Sequence, residues 1–302
     1  EQETLRMLDV YADFYEKQLC IPVVKGRKTD KEKFAGAEAT YTIEALMHDG
    51  KALQGGTSHN FGNGFAKAFG IQYLDKDNTL KYAYQTSWGT TTRMIGAIIM
   101  AHGDDNGLVL PPAVAPIQVV IVPVAMHKEG VLEKAEELRA RLSQFVRVKM
   151  DDSEQSPGWK FAEYEMKVPL RLEIGPRDIE SNQCVLVRRD NREKIVVPLD
   201  QLEDVIPQQL ALLADALYQD AFRRRQDMTY DAHSLEEMMQ IASSKPGFIR
   251  AMWCGDVACE EKLKEVADVS SRCIPFGEDA IGDTCVCCGK PAHKLVYWGK
   301  AY

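Results

Sequence analysis

Long apolar runs are missing from this 302-residue sequence. The longest candidate lies around Ile95–Ala101 and is interrupted by His102 and Asp104. A helix that crosses a bilayer needs about 20 consecutive apolar residues, so the sequence predicts no contact with a membrane. A secretory signal is missing as well, and a cytoplasmic location is therefore expected.

An excess of positive charge is also missing. The chain has 37 Lys and Arg against 45 Asp and Glu, which gives a net charge of −8. This balance argues against simple electrostatic capture of nucleic acid or of an anionic membrane. An RNA partner would need a local basic face, and Arg188, Arg189 and Arg192, or the run 223–225, could supply one. The alternative is that these short runs are solvated surfaces.

Cysteine is scarce until the last fifty residues. Six of the eight cysteines follow position 250, which is not the even spread of a disulfide framework. Two close pairs separated by a longer segment suit a tetrahedral zinc site. The predicted ligands are Cys254, Cys259, Cys285 and Cys288. Cys287 competes with Cys288, which has the more usual spacing from Cys285, and Gly289 permits a tight turn after it. Such a closed four-thiolate site would hold a structural Zn²⁺, whereas the alternative is a set of buried free thiols.

The order of patterns predicts a mixed α/β protein in three parts, residues 1–113, 114–225 and 226–302. In the second part, the continuous apolar run Ile117–Val124 is typical of a strand buried in a parallel sheet. Helices are predicted at Val131–Leu142 and Trp159–Met166, and a strand at Leu170–Ile174. The third part is expected to be a small α/β domain around the cysteines.

Two polar, glycine-bearing segments stand in the first part. Gln54–His59 is predicted to be a loop that leads into a helix near Ser58, with Phe61, Phe65 and Phe69 on its buried face. A histidine at a helix N-terminus titrates low, because the helix dipole disfavours the cation. His59 could then serve as a neutral hydrogen-bond partner. The alternative is an ordinary surface histidine.

The second segment, Trp88–Arg93, is predicted to start a helix near Thr90. Free N–H groups, hydroxyls and the Arg93 guanidinium would converge there, which suits a nucleotide phosphate. Threonines are also ordinary helix caps, so this segment alone does not decide between the two interpretations.

Taken in order, several segments resemble the second half of a class II aminoacyl-tRNA synthetase, the prolyl-tRNA synthetase of the archaeal and eukaryotic type. Gly89–Arg93 resembles the third class II motif, and the match runs through essentially the whole chain. Its further segments are 26–36, 54–59, 102–104, 108–112, 157–161, 173–178, 253–255 and the terminal Tyr302. The resemblance implies the second half of an antiparallel-sheet catalytic domain, then an α/β anticodon-binding domain, then a zinc-binding α/β domain. It also implies that Tyr302 reaches back toward the catalytic domain.

The resemblance further implies activation of proline by ATP and transfer of the prolyl group to tRNA(Pro), with Mg²⁺ and structural Zn²⁺ as cofactors. Arg93 and His59 would be the catalytic residues. The implied ATP contacts are Gln54, Thr57, Thr91 and Arg93. The implied proline pocket consists of Phe34, Thr57, His59, Trp88 and Gly89. The implied tRNA contacts are Lys160, Glu173 and Arg177.

The family's first two motifs precede this segment and are absent from the sequence. The chain alone is therefore expected to be inactive, and a homodimer would form through the missing N-terminal part. A related synthetase for threonine or histidine is one alternative. A non-catalytic RNA-binding relative is another, although retention of Gln54, Thr91 and Arg93 argues against it.

Overall fold

The computed structural model describes residues 1–302 and contains two compact units. The first unit comprises residues 1–17, 21–97 and 222–302, and the second comprises residues 18–20 and 98–221. A π-helical segment, Phe14–Gln18, follows the first helix. The helices are α1 (Gln2–Asp13), α2 (Gly64–Phe69), α3 (Arg93–His102), α4 (Val131–Leu142), α5 (Pro157–Glu165), α6 (Pro176–Glu180), α7 (Leu202–Asp227), α8 (Leu235–Ser244) and α9 (Val257–Ala267). None of them combines the length and apolar character that a membrane-spanning helix requires.

An eight-stranded sheet organises the first unit, in the order β12-β13-β15-β14-β1-β2-β3-β6. These strands are β1 (Val24–Arg27), β2 (Ala39–Leu46), β3 (Ala52–Gly62), β6 (Gln85–Gly89), β12 (Thr229–Asp231), β13 (Phe248–Trp253), β14 (Ser270–Pro275) and β15 (Lys294–Gly299). All neighbours are antiparallel except β12 and β13. A small hairpin of β4 (Gln72–Leu74) and β5 (Leu80–Tyr82) lies outside this sheet.

The pairing of β1 with β14 joins the segments that the sequence divided into a first and a third part. Gly26 lies opposite Pro275, and Arg27 lies opposite Ile274. A Cβ atom at Gly26 would clash with the Ile274 carbonyl, so glycine allows the two strands to approach. The two predicted parts therefore share one sheet, and residues 226–302 do not form a separate unit.

The segment Ser58–Phe61 corrects one prediction, because it belongs to strand β3 and not to a helix. The following helix, α2, begins only at Gly64. Phe65 does contact both Phe61 and Phe69, with ring centroids 4.9 and 6.3 Å apart. Phe69 is nevertheless 74% exposed, so its predicted place in the core is wrong.

The second unit contains a five-stranded sheet in the order β11-β10-β9-β7-β8. Its strands are β7 (Val119–Pro123), β8 (Val148–Met150), β9 (Leu170–Ile174), β10 (Gln183–Arg188) and β11 (Lys194–Pro198). Strand β7 runs parallel to β8 and β9, as the apolar run predicted. Residues Val119 and Ile121 pack with α4 and α7 on one face, whereas Val120 and Val122 pack with α5 on the other.

Candidate functional site

A pocket-like group of side chains surrounds His59 on one face of the first unit's sheet. The imidazole Nδ1 lies 2.9 Å from Thr40 Oγ1, and Nε2 lies 3.1 Å from Thr57 Oγ1. Phe34 reaches this group from the loop between β1 and β2, with its ring centroid 5.0 Å from that of His59. The structure therefore brings together Phe34, Thr57 and His59, three of the predicted proline contacts.

The hydroxyls on both ring nitrogens fix the orientation of His59. A neutral imidazole has one donor and one acceptor nitrogen, and a hydroxyl can satisfy either. Burial lowers the pKa of His59 below its ordinary value of 6.5. The sequence also predicted a lowered pKa for His59, but it attributed the shift to a helix dipole. The cause is burial, because His59 lies in a strand and not at a helix N-terminus.

The predicted nucleotide contacts gather at the start of α3. Nη1 of Arg93 donates to the Gln54 carbonyl at 3.4 Å, and the Arg93 N–H donates to Thr91 Oγ1 at 3.2 Å. Thr90 Oγ1 donates to the Gly55 carbonyl at 2.9 Å. The helix begins at Arg93, three residues later than predicted. Arg93 and Thr91 are exposed, so their polar groups are available to a ligand.

Trp88 lies on the opposite face of the sheet, which corrects its assignment to the proline pocket. It pairs with Ser58, and directly opposed residues project to the same face. Ser58 donates to the Thr4 carbonyl of α1 at 2.7 Å, and Trp88 contacts Tyr11 of α1 with ring centroids 6.5 Å apart. Gly89, in contrast, pairs with Thr57, and a Cβ atom there would meet open space.

A buried ion cluster on the His59 face was missed by the sequence analysis. Glu44 pairs with Gln54 across β2 and β3, and it is fully buried. Its Oε1 accepts from Lys28 Nζ at 2.9 Å and from Thr42 Oγ1 at 2.8 Å. Its Oε2 accepts from Arg272 Nη2 at 2.8 Å. Nothing in the local pattern of Thr42–Glu44 reveals this cluster, since Arg272 is remote in sequence.

The four predicted zinc ligands converge at one point. The Sγ atoms of Cys254, Cys259, Cys285 and Cys288 all lie within 4.8 Å of one another. Cys254 Sγ is 3.8 Å from both Cys259 Sγ and Cys288 Sγ. Zinc–sulfur bonds of about 2.3 Å in a tetrahedron place sulfurs about 3.8 Å apart, so this donor set fits Zn²⁺.

Backbone turns place these sulfurs. Cys254 follows β13, and Cys259 lies in the first turn of α9. Gly289 has φ +70°, a left-handed conformation that glycine adopts at no steric cost, which supports the predicted turn. Cys287 lies outside the cluster and packs against the neighbouring apolar core, so the geometry favours Cys288 as the ligand.

Thiolate is the form that binds metal. A backbone N–H from Lys290 is the main cause that lowers the pKa of Cys288 to about 7. Burial instead raises the pKa of Cys259 and Cys254. A bound cation would reverse this effect of burial, because it stabilises each thiolate directly.

The predicted tRNA contacts are not brought together as one surface. Lys160 is only 1% exposed, so its side chain does not reach the surface. Its Nζ donates to the Asp151 carbonyl at 2.8 Å. Glu173 forms an ion pair with Arg171, with Arg171 Nη2 2.9 Å from Glu173 Oε1. Arg177 is exposed at the start of α6.

A cavity of about 300 Å³ in the second unit offers a different set of contacts. Arg171 stacks on Phe161, with its guanidinium carbon 4.5 Å from the ring centroid. Arg192 and Lys194 line the same cavity and are exposed. Arg171 of β9 and Lys194 of β11 are the basic residues that could have indicated this face, but only once the arrangement of the sheet was known.

Comparison with known proteins assigns most of these segments. An anticodon binding domain matches residues 118–209, and the model described as "Prolyl-tRNA synthetase, C-terminal" matches residues 235–302. The proline–tRNA ligase of Clostridium novyi is 66% identical over 302 residues, covering all of this chain and 63% of the relative. That of Ruminiclostridium cellulolyticum is 64% identical over 303 residues, with the same coverage. Proline–tRNA ligase 2 of Bacillus cereus is 61% identical over 303 residues, covering all of this chain and 64% of the relative.

The chain thus spans about 63% of the length of the curated relatives it matches. All three of these relatives are bacterial proteins.

Proposed function

Because the chain belongs to the prolyl-tRNA synthetase family, we propose that the intact gene product activates proline with ATP and transfers the prolyl group to tRNA(Pro). In this proposal the chain supplies one wall of the adenylate site, the anticodon contacts and a structural zinc site. The observation that carries it is the placement of His59, Thr57 and Gln54 along one strand, β3, with Phe34 and Arg93 directly beside it.

Proline activation requires attack of the substrate carboxylate on the α-phosphorus of ATP. Such a step depends mainly on alignment of the two groups and on stabilisation of charge. Arg93 has no carboxylate partner, so its guanidinium would hold a phosphate oxygen, while Thr91 and Gln54 contact the nucleotide. Mg²⁺ would arrive with ATP and neutralise part of the phosphate charge.

The apolar ring of Phe34 and the neutral imidazole of His59 would enclose the pyrrolidine ring of proline. Thr40 and Thr57 keep the imidazole in place through both ring nitrogens. A hydrophobic pocket discriminates one methylene by about 1–3 kcal/mol, so the shape of the space between Phe34 and His59 would decide specificity. Gly89 leaves open the space beside Thr57, which supports a ligand at this position.

In the cysteine cluster, Cys254, Cys259, Cys285 and Cys288 would hold Zn²⁺ in a closed tetrahedral site. A closed site leaves no position for substrate, so the metal would brace the fold of the first unit.

The stacked pair of Phe161 and Arg171, with Lys194, would receive unstacked anticodon bases. Single-stranded bases are recognised through stacking and through hydrogen bonds to their edges, and this cavity offers both. We propose these residues in place of Lys160, while Arg177 remains a proposed tRNA contact at the surface.

ATP–pyrophosphate exchange on the intact gene product tests the activation step. Each standard amino acid is supplied in turn, and Arg93→Ala is compared with Arg139→Ala, which removes a partly exposed arginine from α4. We expect exchange with proline alone, loss of exchange in Arg93→Ala and normal exchange in Arg139→Ala. Folded protein that exchanges with no amino acid would contradict the proposal and favour the non-catalytic RNA-binding alternative.

Charging of tRNA(Pro) tests the RNA contacts separately. Lys194→Ala is expected to raise the KM for tRNA while ATP–pyrophosphate exchange stays unchanged, because the cavity lies outside the activation site. Lys134→Ala, which changes a partly exposed lysine on α4, is the control. An unchanged KM for tRNA in Lys194→Ala would exclude this cavity as the anticodon site.

A further inference from the structure

Residues 28–38 connect β1 to β2 and carry Phe34 toward His59. The Phe34 N–H donates to Thr40 Oγ1 at 3.0 Å, and the same hydroxyl contacts His59 Nδ1. One end of the connection is therefore tied directly to the proposed proline pocket.

The other end of this connection depends on Thr29. Its carbonyl accepts from the Lys33 N–H at 2.9 Å and from the Glu32 N–H at 3.2 Å. These two bonds form the turn immediately before Phe34. Thr29 itself is 2% exposed, so its side chain must find a partner inside the protein.

One such partner is Glu260 of α9, the residue directly after Cys259 of the cysteine cluster. Thr29 Oγ1 donates to Glu260 Oε1 at 3.0 Å, and Ser271 Oγ donates to the same oxygen. Glu260 is 2% exposed, and its Oε2 is buried without a hydrogen-bond partner. Burying a carboxylate with one bare oxygen costs free energy, so packing alone does not account for a glutamate at this position.

We propose that Glu260 is a positioning residue, which links the cysteine cluster to the turn that presents Phe34 to His59. The cluster fixes Cys259 and hence the first turn of α9. Glu260 then fixes Thr29, and Thr29 fixes the turn through the amides of Glu32 and Lys33. The catalytic consequence rests on the proposed function, whereas the structural link does not.

Amide hydrogen exchange of the zinc-loaded chain tests the link from Glu260 to the turn before Phe34 and does not require enzymatic activity. The reporters are the amides of Lys33 and Phe34. The Glu32 amide is left out because its N–H also donates directly to Thr29 Oγ1 at 3.3 Å and would respond to Thr29→Val without Glu260. Glu260→Ala and Thr29→Val should speed their exchange about ten-fold, the effect of one lost hydrogen bond to a charged group. Thr29→Ser keeps the hydroxyl and should retain protection.

Glu261→Ala is the matched control, because it changes the adjacent residue and removes an exposed ion pair to Lys31 of the same connection. Such surface pairs contribute little, so this variant should exchange like the wild type. Equal acceleration in Glu261→Ala, or wild-type exchange in Thr29→Val, would overturn the proposal. Thr29→Val keeps the test valid if Glu260→Ala fails to fold.

Zinc removal tests whether the cluster is the origin of the restraint. Chelation should speed hydrogen exchange of the two reporter amides in the wild type but add nothing in Thr29→Val, where the link is already cut. The amides of β7 in the second unit serve as the internal reference. Unchanged reporter exchange after complete metal removal would refute the role of the cluster.

In the intact gene product, Glu260→Ala and Thr29→Val should raise the KM for proline about ten-fold with a smaller effect on kcat, because a misplaced Phe34 weakens binding of the ring. The KM for ATP should not change. An unchanged KM for proline in both variants would refute the catalytic consequence. If the intact protein activates no amino acid while the exchange results hold, the proposed function fails and the structural link stands.

Discussion

Replacing Glu44 with glutamine removes the carboxylate that lies between Lys28 and Arg272. All three side chains are nearly or fully inaccessible to solvent in the first unit. Glutamine has the same size and keeps one acceptor oxygen, so the substitution changes charge with little change in volume.

The expected loss of stability follows from the two cations that remain. Removing one partner of a buried ion pair typically costs about 3–5 kcal/mol, because an uncompensated charge stays in a medium that solvates it poorly. Here two cations lose their counter-ion, so we expect a value within that range or above it. With m-values of about 1–3 kcal/mol per M, the urea midpoint should fall by at least about 1 M.

Urea unfolding followed by tryptophan fluorescence measures this difference, since Trp88, Trp253 and Trp298 all belong to the first unit. Glu3→Gln is the control, because it removes a solvent-exposed glutamate that pairs only with Arg6 of the same helix. A midpoint for Glu44→Gln equal to that of Glu3→Gln would refute the reasoning, since it would mean that the buried cations need no counter-ion.

Acid adds an independent test. Burial alone would raise the pKa of Glu44, but the charges of Lys28 and Arg272 and the hydrogen bonds lower it overall below its ordinary value of 4.5. A depressed pKa contributes stability above pH 4.5 that is lost as the pH falls through the folded-state pKa. The difference in the free energy of unfolding between wild type and Glu44→Gln should therefore have its full value at pH 7 and should become smaller below pH 4.5. A difference that is independent of pH would contradict this account.

Three further predictions concern the two candidate sites. Cys254→Ser should lower the zinc content and the melting temperature of the first unit, because folding is coupled to metal binding, and unchanged melting after chelation would show that the site is not structural. An NMR titration of His59 should give a midpoint below 6.5, because burial lowers its pKa, and a higher midpoint would contradict the burial argument. In the metal-free chain, alkylation of Cys288 should reach half its maximal rate near pH 7, and alkylation of Cys287 should be slower because burial raises its pKa. Mass spectrometry of peptides measures both rates, and added zinc should protect Cys288 from alkylation.

Elements whose signal is local were predictable from the sequence. Helix Val131–Leu142 and strand Leu170–Ile174 have the predicted bounds, because an apolar period of 3.6 specifies the helix and apolar alternation specifies the strand. The cysteine cluster was predictable for a similar reason, since the spacing of two close pairs nearly determines the geometry of a tetrahedral site.

Strand β3 shows where this reasoning fails. Gly55, Gly56 and the polar residues after them carry no apolar alternation, and the segment is extended because β2 and β6 pair on either side. The position of Trp88 depends on the same long-range register, since a shift of one residue moves a side chain to the other face. Lys160 was misplaced because nothing in its neighbours reveals that Asp151 would hold it inside the unit.

The pairing of Gly26 with Pro275 also affects how the chain is made. The two residues lie about 250 positions apart, so β1 must wait for this neighbour until β14 has been synthesised. Closing so long a loop costs entropy, and contacts of this separation slow folding. Until β14 arrives, β1 is an unpaired edge, which is the kind of strand that recruits other chains. A nascent chain that stops before Ser270 would keep that edge exposed, so early termination should produce aggregation and not a smaller folded protein.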